Sequence, residues 1–307
     1  MKKHTWANLI FTLVFSTLFI PLCYLLIQHL MEYKVPHVSA KESYNSHITA
    51  KSPVIRDFSN GKAAAQVPVL MYHQIIPERK LGPQHYKEDG SLLDVVVTME
   101  QFIRQMDHLQ NEGYTTLSLE EFEGFLKKGE TVPYKSVLIT FDDGYKNVFE
   151  FAYPVLKERN FQAVQFLITS MISSEKELYD PLLQQYASIP ELMEAADVFD
   201  YQSHSHAFHK RDGTDTAYLN AFGRSEVKED LEQAAAWLGT RKAFAAPYGE
   251  YNGSTLDVLK EIGISMAFTI EPGTISPGQD PLTLPRHGIF PSYPMSVFKN
   301  IVEMKAD

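Results

Sequence analysis

SVLITFDDG, residues 136–144, is the stretch that decides the fold. Six residues suited to a strand run straight into two acidic residues and a glycine. Asp142 and Asp143 are costly side by side in a buried setting. Like charges so close do not both ionise cheaply unless a cation neutralises one. Asp-Gly is equally a common turn pair. Alone, the motif leaves a turn and a site both open.

The surrounding chain repeats the pattern of strand followed by helix. Upstream, VPVLMYH (67–73) reads as a buried strand. Phe102, Met106 and Leu109 recur at helical spacing, and that helix ends near Gly113. Tyr114–Leu117 reads as a short strand, and Ser118 with Glu121 forms a capping box for the next helix. Downstream, AVQFLIT (163–169), VFDYQ (198–202), AFAAP (243–247) and SMAFTI (265–270) read as strands. Pro154 marks a helix start or kink. Residues 225–238 form a helix with Val227, Leu231 and Ala234 or Ala235 inward, and further helices are read at 256–262 and 295–304. Residues 170–197 have no clear period. This alternation predicts an α/β fold with a parallel sheet and right-handed crossovers, open or closed into a barrel. In such folds chemistry gathers where strands end and the following loops begin.

The net charge of −10 argues against nucleic acid, which needs clustered Lys and Arg. The single cysteine, Cys23, excludes disulfides and Cys-based zinc sites. Any metal must therefore sit on His and carboxylates. Residues 8–31 contain no Asp, Glu, Lys or Arg and are long enough to cross a hydrocarbon core of roughly 30 Å. Lys2 and Lys3 precede them, which predicts a cytoplasmic stretch over 1–7 and a single transmembrane anchor over 8–31. The alternative is a cleaved signal peptide ending near Val38-Ser39-Ala40, but the apolar run is long for one. Residues 32–66 are polar and read as a linker, and residues 67–307 as the domain, facing outward from the membrane.

A second cluster, SHSHAFH (203–209), follows the strand at 198–202. It places His204, His206 and His209 within one loop. Neutral imidazole is a common ligand for zinc and similar metals. A solvated His-rich loop is the plain alternative. Both clusters lie at strand ends, on the same rim of a parallel sheet. One Asp with two His leaves metal positions open for water and substrate. Such a metal lowers the pKa of bound water and polarises a carbonyl oxygen, while the second Asp takes a proton. This is equipment for hydrolysing an amide or ester.

TFDDG (140–144), the His cluster and Pro247-Tyr248-Gly249 occur in that order, each after a strand. In this the chain resembles the polysaccharide deacetylases of carbohydrate esterase family 4, the NodB-homology domain, over roughly residues 67–290. The resemblance implies a distorted (β/α) barrel of about seven strands. It implies Asp142 as general base, and Asp143, His204 and His209 as ligands of a divalent metal. Zn2+ is expected, and Co2+, Ni2+ or Fe2+ suit the same donors. The usual family spacing puts the second His where Phe208 stands. His209, one position later, matches the subgroup acting on biofilm poly-N-acetylglucosamine, and His206 is the alternative ligand.

The backbone N–H of Tyr248 is expected to hold the oxyanion. The family's Arg two residues before Pro247 is replaced by Ala245, and Arg286 is expected to supply the guanidinium instead. The late family His is matched by His73 at the end of the first strand, expected as general acid, with His287 as competitor. Met71, Pro247, Tyr248 and Leu284 are expected to contact substrate. The implied substrate is an N-acetylglucosamine-containing extracellular polysaccharide, poly-β-1,6-N-acetylglucosamine first, with peptidoglycan or chitin oligomers as alternatives. A reading of another class is a catalytically silent glycan-binding relative. A glycosidase is disfavoured, because its two carboxyl groups must stand about 5 Å or more apart across the scissile bond. Protein partners are not legible.

Overall fold

The computed structural model describes residues 55–303 together with Phe15 and Phe19. The expected anchor at 8–31 and most of the expected linker lie outside the described residues. Among the described residues no helix is long and apolar enough to cross a membrane.

The domain opens with β1 (Val67–Tyr72) and a small parallel pair, β2 (Gln74–Ile76) with β3 (Val96–Thr98). Then come α1 (Met99–Asn111), β4 (Thr115–Thr116), α2 (Leu119–Lys128) and β5 (Ser136–Phe141). A π-helical turn at Val148–Ala152 leads into α3 (Tyr153–Glu158), where Pro154 sits in the first turn and gives up no needed N–H. The chain continues through β6 (Ala163–Leu167), α4 (Ile189–Glu194), β7 (Phe199–Ser203), α5 (Tyr218–Ala221), α6 (Arg224–Leu238) and β8 (Ala243–Ala245). It ends with α7 (Gly253–Glu261), β9 (Met266–Phe268), β10 (Thr274–Ile275), β11 (His287–Gly288) and α8 (Met295–Glu303).

The main sheet runs β10-β1-β5-β6-β7-β8-β9. Its neighbours are parallel, except that β10 lies antiparallel to β1. The sheet curls as a distorted barrel does. Residues 284–289 link its two ends. Leu284 exchanges backbone hydrogen bonds with Ala267 and Thr269 beside β9, at 2.9 and 2.8 Å. Ile289 N–H reaches Met71 O at 3.0 Å, and β11 pairs with β1.

Strand alternation sorts the core into two layers. Val67, Val69, Leu138, Phe166, Ala245 and Phe268 pack inside the curl. Leu70, Tyr72, Ile139 and Phe141 face outward onto Phe102 and Met106 of α1 and Phe298 of α8. Thr140 and Asp142 share the inner side with Leu138, so the strand that builds the core also aims Asp142 inward.

Two local readings need correction. Residues 56–66, expected as linker, dock on the domain. Arg56 holds Glu121 through Nε and Nη2 at 2.8 and 2.6 Å, and Ala64 N–H donates to Val132 O at 2.9 Å. Glu121 thus completes the predicted capping box with Ser118 and anchors the incoming chain. Residues 170–197 contain α4, which opens on a Ser188–Glu191 capping box. The two-residue edge strands β10 and β11 are too short to leave a periodic signal.

Candidate active site

The predicted rim exists, and each strand end supplies one part. At the end of β5, Asp142 N–H donates to Tyr72 O at 3.0 Å, locking this end to β1. Asp143 and Gly144 follow in the left-handed region, at φ 73° and 82°. Asp tolerates that region better than most side chains, and such strain gathers at functional sites. The turn sends the two adjacent carboxylates in different directions.

Asp142 meets Arg286, which is fully buried. Nη1 lies 2.7 Å from Oδ1 and Nη2 lies 2.8 Å from Oδ2. Nε donates to Thr269 O at 2.9 Å, and Nη1 also reaches Thr140 Oγ1 at 3.2 Å. The guanidinium fork therefore fixes the carboxylate in plane and in charge. Burial pushes the Asp142 pKa up, but Arg286 and His204 outweigh it and hold the carboxyl below its usual range. Arg286 thus gives Asp142 a guanidinium partner, which Ala245 cannot supply. It does not line the groove, so it positions the carboxylate and does not contact substrate.

Asp143 meets the two imidazoles. His204 Nε2 and His209 Nε2 stand 3.3 and 3.1 Å from its Oδ1. Ligand atoms of the three side chains lie within 4.8 Å of one another. His204 Nδ1 is 2.8 Å from Ala245 O, so this nitrogen carries the proton and donates. That tautomer leaves the Nε2 lone pair facing the carboxylate. Asp143 Oδ1 is buried and accepts no hydrogen bond. Lone pairs converging on an orphaned carboxylate oxygen are the donor set of a divalent cation, and these residues fit one. Burial opposes ionisation of Asp143, yet protons on the His204 and His209 imidazoles, carried when no cation is bound, would hold its pKa well below the ordinary value. The same carboxylates raise the pKa of His204 against its burial.

His206 does not join this cluster; its Nδ1 lies 2.8 Å from Thr169 Oγ1. Phe208 turns the other way, onto Tyr218 and Phe222 at ring distances of 5.6 and 5.0 Å.

A groove of about 710 Å³ runs over the rim. Met71, His73, Asp142, Asp143, Tyr145 and Tyr248 are among its walls. Tyr248 stands at φ 59° in the turn after β8, with its ring 4.4 Å from that of His209. Burial lowers the His73 pKa, and the charges of Asp143, Asp142, Arg286 and His204 all act on it. His287 also lines the groove, but burial alone lowers its pKa, and no carboxylate of the site acts on it. Both candidate acids line the groove, and His73 is the one on which the charges of Asp142 and Asp143 act.

Two expected substrate contacts are not on the wall. Leu284 is fully buried in the inner core with Phe268 and Ala245, because its strand-like pairing with β9 turns it inward. Pro247 is buried at the start of the turn and serves to set its backbone. Sequence reasoning missed Tyr145, which lines the groove and stacks on Tyr186 at 5.2 Å. Its place directly after Asp142-Asp143-Gly144 was the available signal. It also missed the buried ion pair of Lys146 with Glu191, which carried no signal across an irregular stretch.

A metal-fitting Asp-His-His triad beside a clamped carboxylate, at the strand ends of a curled parallel sheet, defines a hydrolase of the deacetylase type. Residues 129–267 match the polysaccharide deacetylase family model. A poly-beta-1,6-N-acetyl-D-glucosamine N-deacetylase of Staphylococcus epidermidis is 30% identical over 225 residues, covering 71% of this chain and 76% of that protein. The chain belongs to the polysaccharide deacetylase family and is an enzyme of that class. Among solved structures, Streptococcus pyogenes deacetylase PplD aligns over 80% of this chain and 100% of its own, with TM-score 0.65 and 24% identity. IcaB from Ammonifex degensii aligns over 80% and 98%, with TM-score 0.63 and 24% identity. Both share the fold.

Proposed function

We propose that this enzyme removes acetyl groups from N-acetylglucosamine units of an extracellular polysaccharide, poly-β-1,6-N-acetylglucosamine, with the help of a divalent cation, Zn2+ first. The observation that carries the reading is the division of labour between adjacent carboxylates. Asp142 is clamped by Arg286, and Asp143 is met by His204 and His209. The choice of polymer is supported by the name of the Staphylococcus epidermidis relative and by the five-position spacing of His204 and His209.

The roles follow from what each group can do. Asp143, His204 and His209 would hold the cation, which supplies Lewis acidity for the carbonyl and acidifies water. Asp142 is kept ionised by Arg286, so it takes a proton from the attacking water. The N–H of Tyr248 donates to the oxygen that becomes negative as the carbonyl is attacked. His73 gives a proton to the leaving nitrogen, so the C–N bond breaks to acetate and a free amine. Met71 borders the space for the acetyl methyl. Residues 8–31 anchor the chain, with the catalytic domain outside the membrane; the two lysines before the apolar run support this.

The test is amine release from poly-β-1,6-N-acetylglucosamine by the full chain in detergent, with and without chelator and added Zn2+, beside Asp142→Asn. The expected result is chelator-sensitive release that the variant lacks. Release from peptidoglycan fragments alone would keep the chemistry and replace the polymer. Metal binding without release from any glycan would favour a binding protein.

A further inference from the structure

We infer that Asp230, on the buried face of α6, is the positioning residue that shapes the His204–His209 loop for cation binding. This rests on the cation reading above and deepens it.

The loop departs from regular spacing, and its path needs a cause. Ser205 sits at φ 71°, in the left-handed region that Ser seldom adopts. The N–H groups of His206 and Ala207 then point away from the groove. Asp230 Oδ2 accepts the first at 2.9 Å and Oδ1 accepts the second at 2.7 Å. Asp230 is only 5% exposed. Among the described residues it makes no ion pair with Lys or Arg. A buried carboxylate without a cation is costly unless hydrogen bonds satisfy it. Here the backbone of one loop is its main partner, so side chain and loop order one another.

That hold explains the spacing. With His206 and Ala207 fixed, Phe208 points into the aromatic cluster of Tyr218 and Phe222, and the chain returns His209 to Asp143. On the other side, Ser205 O and His206 O accept from Thr169 and Ser170 at 3.2 and 3.0 Å. The loop is thus pinned between α6 and the end of β6. Asp230 touches neither the groove nor the three ligands, so its effect is on their placement.

The test compares Zn2+ affinity of the full chain in detergent, by competition with a chromophoric chelator, for wild type, Asp230→Asn and Asp230→Glu. Asn keeps the shape but replaces one acceptor with a donor facing an N–H. Loss of a group bonded directly to a ligand weakens metal binding by about 10–100-fold, and Asp230 acts one step further out through the loop backbone, so a loss of about tenfold is expected. Asp230→Asn should show that loss, and saturating Zn2+ should restore kcat with KM for the glycan unchanged. Asp230→Glu, which keeps two acceptors, should recover part of the affinity. A folded Asp230→Asn that binds Zn2+ as wild type does would overturn the inference. Absence of Zn2+ binding by wild type would overturn the cation reading itself. Wild-type amide exchange guards against a variant that does not fold. The N–H groups of His206 and Ala207 should be protected in metal-free protein, and fast exchange there would overturn the inference.

Discussion

Arg286 reaches Asp142 across 144 positions of sequence and binds both of its carboxylate oxygens, at 2.7 and 2.8 Å. The pair joins the segment that links the ends of the sheet to the end of β5. Fold closure and the charge state of Asp142 are therefore one structural event.

The first prediction concerns pH. In the proposed mechanism Asp142 works ionised, so activity should be lost as pH falls through its pKa. In the folded enzyme burial raises that pKa, and Arg286 and His204 more than offset the rise. Removing the guanidinium leaves burial less opposed. The acidic limb of kcat/KM should then move to higher pH in Arg286→Ala. Arg286→Lys keeps a charge but loses the fork, and should move it less. Truncating one partner of a buried pair costs about 3–5 kcal/mol, so the lysine variant is the safer protein. An acidic limb unmoved in both variants would remove Asp142 from the role of base.

The two candidate acids make opposite predictions. His73 stands in the field of both carboxylates and His287 does not. Loss of a general acid costs about 10²–10⁴-fold in rate. His73→Ala should lose kcat on that scale with KM little changed, while His287→Ala should lose under about tenfold. Steady-state kinetics on one acetylated oligomer decides it, and the reverse ranking would transfer the role to His287.

The sequence made the catalytic rim readable because its parts are local. SVLITFDDG and SHSHAFH each put chemistry one step beyond a strand, and strand ends of a parallel sheet share a face. Phe102, Met106 and Leu109 revealed α1 for a similar reason, since a helix facing a sheet must keep its apolar period. What escaped was set by distant pairing. β11 is two residues long and exists because Leu70 and Met71 lie beside it. The burial of Leu284 depends on β9, and the docking of residues 56–66 depends on Glu121. The loop over 204–209 was readable as a cluster, and the resemblance named His209 before His206, but the physical ground of that choice was not readable. That choice hangs on Thr169 and Asp230, from two other elements.

Cation binding should appear as stability. A ligand that binds only the folded state adds about 2.7 kcal/mol at one hundred times its Kd. Added Zn2+ should therefore raise the melting temperature of wild type. His209→Ala and Asp143→Asn should lose most of that rise. His206→Ala should keep it, because its ring faces Thr169. A His206 variant as insensitive to Zn2+ as the His209 variant would reassign the third ligand.

The last prediction concerns Lys146 and Glu191, a buried ion pair directly behind the Asp142-Asp143-Gly144 turn. Glu191 also accepts from Ser188 N–H and Oγ, at 2.9 and 2.6 Å. Lys146 N–H donates to Gln185 O, and Ala187 N–H donates to Gly144 O, both at 2.9 Å. The pair thus fastens residues 185–191 along the chain that carries Asp143 and Tyr145. Removing one member leaves an uncompensated buried charge and should cost about 3–5 kcal/mol, whereas replacing both with apolar residues is often near neutral. Glu191→Ala should fall on that scale in urea unfolding. Lys146→Met combined with Glu191→Leu should recover most of the loss, less the capping bonds to Ser188. If the single substitution costs under about 1 kcal/mol, the charges reach water and the pair is not the fastening that the turn depends on.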